Sequence, residues 1–130
     1  MTKKPSYIDA RSAADWKKSE HHGAGTWLAE RGTSLVLAPL TLWALYAAYT
    51  IANTGFDGAA AFLRVPLNAG LAGLTMLLTV WHMYLGLRVI VEDYVSREEG
   101  RGVYLFLIFL LSAAILIATG GALWFVHQGA

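Results

Sequence analysis

Three apolar runs limit what this chain can fold into more than any other feature. Leu35 to Ala52 and Val103 to Ala130 contain no Asp, Glu, Lys or Arg, and Leu67 to Val91 is apolar around His82 and Arg88. A helix needs about 20 apolar residues to cross a hydrocarbon core of about 30 Å, and each run supplies that length. Hydrophobic residues make up 56% of the 130 and charged residues only 15%. That is too apolar for an ordinary soluble domain of this size. The net charge of +1 comes with no separate basic patch, so nothing points to nucleic acid. There is no cysteine, which rules out disulfide, thiolate, iron–sulfur and zinc–thiolate chemistry within the chain.

The runs divide the chain. Residues 1–33 are expected to form a polar segment, with a short surface helix over Ile8 to Lys18 and a flexible break at His22-Gly23-Ala24-Gly25. No apolar stretch follows Lys3 and Lys4, so a signal peptide is not expected there. The first span is placed at about 34–53, with Pro39 in its first turns, where proline costs least. A short loop is expected over Thr54 to Arg64. Pro66 opens the second span, about 66–94, whose small residues Ala69, Gly70, Ala72 and Gly73 suit close helix approach. After the charged loop Ser96 to Arg101, the third span runs over about 103–126. The expected fold is therefore all-α, three transmembrane helices over residues 34–130.

The basic residues set the orientation. Six lie in the N-terminal segment (Lys3, Lys4, Arg11, Lys17, Lys18, Arg31), and Arg88, Arg97 and Arg101 cluster around the second loop. The opposite side has only Arg64. The positive-inside rule puts the N-terminus in the cytoplasm and the C-terminus outside. Three helices enclose little interior, so a polar site on them is expected to face a partner subunit.

Two places carry candidate chemistry. An imidazole inside a span is costly, and His82 is one. It can hydrogen-bond to a neighbouring helix, or it can serve as a neutral axial ligand for haem iron in an apolar site. Gly86, one turn on, either leaves room for a porphyrin edge or packs against a helix. His127, His21 and His22 are poorly placed as a second ligand, so that ligand is expected from another subunit. Asp93 and Tyr94 lie 11 and 12 residues after His82. Eleven residues are close to three turns, about 16 Å, so His82 and Asp93 share a face. The pair can be an ordinary helix end, or a quinone site in which the phenol donates to a carbonyl and the carboxylate relays a proton or orients a cation. Arg31 is an interfacial anchor, or it pairs with an anion such as a haem propionate. Trp27, Trp81, Tyr84 and Trp124 read as interface or packing residues.

The run His82-Met-Tyr-Leu-Gly86-Leu-Arg-Val-Ile-Val-Glu-Asp93-Tyr94 resembles the signature of the small hydrophobic anchor subunit of succinate dehydrogenase, respiratory complex II. Gly23-Ala-Gly25-Thr-Trp27-Leu-Ala-Glu-Arg31-Gly-Thr33-Ser resembles that family's segment before its first helix. The resemblance covers residues 22–130. It implies that His82 ligates haem b, whose other histidine comes from a cytochrome b subunit. It further implies that Arg31 meets a haem propionate, Tyr94 hydrogen-bonds a ubiquinone carbonyl, and Asp93 organises that site with an arginine of the partner. FAD and iron–sulfur clusters would reside in a flavoprotein and an iron–sulfur subunit, held by this chain on the cytoplasmic side of a bacterial inner membrane. No catalysis is expected of the chain alone. Some relatives have a histidine where this chain has Gly25 or Thr26, so no histidine of that segment is given a role.

Two other functions fit the same residues. One is a haem-free structural anchor of a related succinate or fumarate oxidoreductase. The other is a small transport subunit using His82 and Asp93 as a proton relay, for which the spans hold few polar residues.

Overall fold

The computed structural model describes the backbone of residues 13–95 and 98–129, and the side chains of residues 24–95 and 100–129. Among the described residues there are three helices: α1 (Ala13–Arg64), α2 (Pro66–Tyr94) and α3 (Glu98–Gln128). At about 1.5 Å per residue each exceeds the thickness of a hydrocarbon core. All three contain stretches long and apolar enough to cross a membrane. Helix α2 is central. It packs extensively on both neighbours, while α1 and α3 touch each other little.

Among the described residues few are buried: Leu40, Ala47, Ala60, Val80 and Leu85, with Thr33 and Ser112 as buried polar groups. Large apolar side chains cover the outside, among them Leu35, Leu42, Phe106, Ile117 and Phe125. Such an outside suits lipid or other helices, since water would oppose it at about 25 cal/mol per Å² of apolar surface.

Helix α1 departs from expectation. It is unbroken through residues 21–25 and is already helical by Ala13, so His22 to Gly25 form no flexible break. Of the surface helix expected over Ile8 to Lys18, residues 13–18 belong to α1, and the rest lies outside the described residues. Pro39 consequently sits in a helix interior, where its ring removes one backbone hydrogen bond. Membrane helices tolerate this because neighbouring groups re-satisfy the freed carbonyl. The expected loop over residues 54–64 is helical too, set off by a kink at Gly55 with φ 66° and ψ −166°. That region of backbone space is essentially restricted to glycine, and any other residue there costs on the order of 1–3 kcal/mol. Gly58 completes the kink, because a Cβ there would overlap the Thr54 side chain.

Pro66 occupies the first turn of α2, where its missing N–H costs nothing. Gly73 faces Leu123 of α3, where an added Cβ would lie 3.6 Å from Leu123 Cδ1, as expected of a small residue at a helix contact. At the opposite end from the charged loop, Arg64 Nε donates to the Val126 carbonyl at 3.2 Å and ties α1 to α3. Arg88 and Glu92, one turn apart on α2, form an ion pair at 2.7 Å. Pairing them offsets two charges that would otherwise stand alone near a span end.

Candidate functional site

Thr33 on α1 and His82 on α2 meet across the helix pair. Thr33 Oγ1 lies 2.8 Å from His82 Nδ1, and Thr33 is only 5% exposed. The same oxygen is 2.8 Å from the Ala29 carbonyl and 3.0 Å from the Glu30 carbonyl. Mid-helix threonines commonly bond back in this way to the preceding turn. His82 is half-buried, and Nε2 makes no hydrogen bond among the described residues.

This contact fixes the register of α1 against α2. Thr33, expected just outside the first span, lies level with His82. The part of α1 that runs beside the second half of α2 is therefore residues before 33, which composition alone reads as a tail. Arg31 is two residues from Thr33, about 3 Å along the axis. It is exposed, its guanidinium lies 5.5 Å from the centre of the Trp27 ring, and it forms no ion pair among the described residues. A guanidinium over an aromatic face is attracted by the ring, which restrains the side chain.

A Cβ added to Gly86 would meet nothing within 4 Å. Packing inside this chain therefore does not require the glycine, and its face is open. Helical spacing sets Gly86 close to His82 on one face. These features suit a haem edge: an imidazole held by one nitrogen, its other nitrogen unpartnered, and open space one turn away.

Asp93 and Tyr94 end α2, followed by Val95, whose backbone N–H bonds back to Val91. Both side chains are exposed, Tyr94 by 83%, and neither has a hydrogen-bond or ion-pair partner among the described residues. The chain brings them to the same helix as His82 but not into contact with it. A separate apolar cleft of about 550 Å³ lies between α2 and α3, lined by Trp81, Tyr84, Phe109 and Ser112 among others. It includes neither His82 nor Asp93, and offers no string of polar groups such as a proton relay needs.

The sequence matches the family model for the succinate dehydrogenase/fumarate reductase transmembrane subunit over residues 10–120. The chain belongs to that family. The succinate dehydrogenase hydrophobic membrane anchor subunit of Rickettsia conorii is 27% identical over 123 residues, covering 94% of each chain. That of Rickettsia felis is 29% identical over 105 residues, 81% of this chain and 88% of the relative. The succinate dehydrogenase membrane anchor subunit of Reclinomonas americana is 31% identical over 97 residues, 72% of this chain and 81% of the relative. No solved structure gives a significant match. Membership of this transmembrane family, with three long apolar helices, makes the chain a multi-pass membrane protein.

Within the family's match fall all four residues singled out from sequence: Arg31, His82, Asp93 and Tyr94. Thr33 had no role there beyond its place in the segment around Arg31. Its partner is 49 residues away, and only the register of the two helices reveals it.

Proposed function

We propose that the chain is the membrane anchor subunit of a succinate:ubiquinone oxidoreductase, with its N-terminus in the cytoplasm of a bacterium and its C-terminus outside. It holds a flavoprotein and an iron–sulfur subunit on the inner membrane, pairs with a cytochrome b subunit, and supplies half of a haem b site and part of a quinone pocket. The chain before the first candidate span, which begins at Ala24, serves the cytoplasmic side. The observation that carries the reading is the half-buried His82, bonded through Nδ1 with Nε2 unpartnered among the described residues, in a chain of this family.

Haem b, when bound, supplies a one-electron carrier in a dry, apolar setting. His82 would hold it through Nε2, and Arg31 would offer a planar cation to a propionate. Succinate oxidation in the partner subunits releases two electrons and two protons, and reducing a quinone to a quinol takes up the same number. Tyr94 donates a hydrogen bond to a quinone carbonyl and polarises it as electrons arrive. Asp93 pairs with a cation of the partner subunit and so organises the site around the headgroup. Both stand exposed at a helix end, where a quinone arrives sideways from the bilayer.

The Thr33–His82 bond taken alone also fits a haem-free anchor, in which the imidazole only ties two helices. The open space at Gly86 is compatible with the haem reading, and the absorption spectrum of the purified complex decides between the two. Anchoring itself is tested by deleting the chain in cells. Succinate oxidation with an artificial acceptor should move from the membrane to the soluble fraction. Retention on the membrane would contradict the anchor role.

A further inference from the structure

We propose that Thr33 is a positioning residue for His82, holding its ring proton on Nδ1 so that Nε2 is left as a bare lone pair aimed away from α1. The proposal rests on the haem reading and deepens it.

A threonine hydroxyl has one hydrogen and two lone pairs. Three groups lie within hydrogen-bond distance of Thr33 Oγ1: the Ala29 carbonyl at 2.8 Å, the Glu30 carbonyl at 3.0 Å and His82 Nδ1 at 2.8 Å. The two carbonyls can only accept. With the hydroxyl hydrogen aimed at the imidazole, two oxygen–oxygen contacts at these distances would have no hydrogen between them and would repel. With the hydrogen on the carbonyl side, both contacts are satisfied by one shared hydrogen. The remaining neighbour must then donate, and His82 Nδ1–H is the only donor among the three. A neutral imidazole has one N–H, so Nε2 is the unprotonated nitrogen.

The consequence is chemical as well as geometric. A metal-bound histidine usually donates its second N–H to an acceptor, which sets tautomer and ring angle and raises ligand basicity. Here a buried hydroxyl is that acceptor. It is itself locked by two backbone carbonyls of its own helix. The site is therefore formed before iron arrives, and the ring need not search between tautomers. A more basic ligand favours ferric over ferrous iron, so Thr33 lowers the potential of the haem.

The test uses the assembled complex with Thr33→Val, Thr33→Cys and Thr33→Ser. Valine keeps the size and removes the acceptor. Cysteine keeps the size and weakens the acceptor. Serine keeps the hydroxyl. Outer-partner changes of this kind typically weaken metal binding about 10–100-fold. Thr33→Val should release haem at least about tenfold more readily, raise its midpoint potential and shift the low-spin electron paramagnetic resonance lines. Thr33→Cys should move the potential in the same direction by less, and Thr33→Ser should restore the parent values. Unchanged potential and spectra in Thr33→Val would overturn the proposal while leaving the haem reading intact. A parent complex without haem would overturn both. Failure of the valine and cysteine complexes to assemble would make Thr33 a packing residue and overturn the proposal too.

Discussion

Replacing His82 by leucine is expected to remove the low-spin haem b spectrum of the assembled complex and leave the helices in place. The size of each effect decides this. The hydrogen bond lost is that between Thr33 and His82, and such bonds between membrane helices average about 0.6 kcal/mol. Thr33 does not become an unsatisfied buried group, because its hydroxyl still donates to the Ala29 and Glu30 carbonyls. Leucine fills most of the imidazole's volume in a half-buried position, so little cavity forms. Loss of an axial ligand is a different order of effect. Leucine offers iron no lone pair, and any haem that remains has one strong axial ligand and a high-spin spectrum. A spectrum equal to the parent's would reject His82 as a ligand.

Tyr94→Phe is expected to lower ubiquinone reduction about tenfold, the value of one hydrogen bond of roughly 1.4 kcal/mol at the reacting carbonyl. The substitution is clean because Tyr94 is 83% exposed and its hydroxyl has no hydrogen bond among the described residues. The chain itself loses nothing, and a surface change of this kind alters stability by no more than about 0.5 kcal/mol. Succinate oxidation with an artificial acceptor should stay at the parent rate, because those electrons leave before the quinone. A parent rate with ubiquinone as well would remove Tyr94 from the quinone site.

Features that depend on composition along one helix are readable in the sequence. Hydropathy alone locates three apolar stretches, and helical spacing alone relates His82 to Gly86, Asp93 and Tyr94. Helix ends and register are another matter. Residues 13–33 read as a tail because they are polar, yet they continue α1 without interruption. Gly23 and Gly25 look like breakers, and Gly55 looks no stronger. Only Gly55 adopts a conformation that ends a helix, since a glycine within a continuing helix costs about 1 kcal/mol, which neighbouring residues offset. Pro39 misleads for a related reason: its comfort in a first turn is an argument about a helix that starts near 34, and α1 is already helical by Ala13.

Thr33 shows the limit most sharply. Nothing about a threonine two residues after an arginine marks it as a partner of a histidine on another helix. The pairing depends on how α1 slides against α2, and that is set by packing between the two helices along their length. Arg31 and Asp93, exposed and without an ion pair among the described residues, are legible in sequence only as charged groups with no local partner.

The measurement that bears most directly on the account is the optical spectrum and subunit content of the complex purified through an affinity tag on this chain. A flavoprotein, an iron–sulfur protein and a second membrane subunit should come with it, and reduction should give the bands of a low-spin b-type haem. A complete complex without those bands, or this chain without those partners, would contradict it.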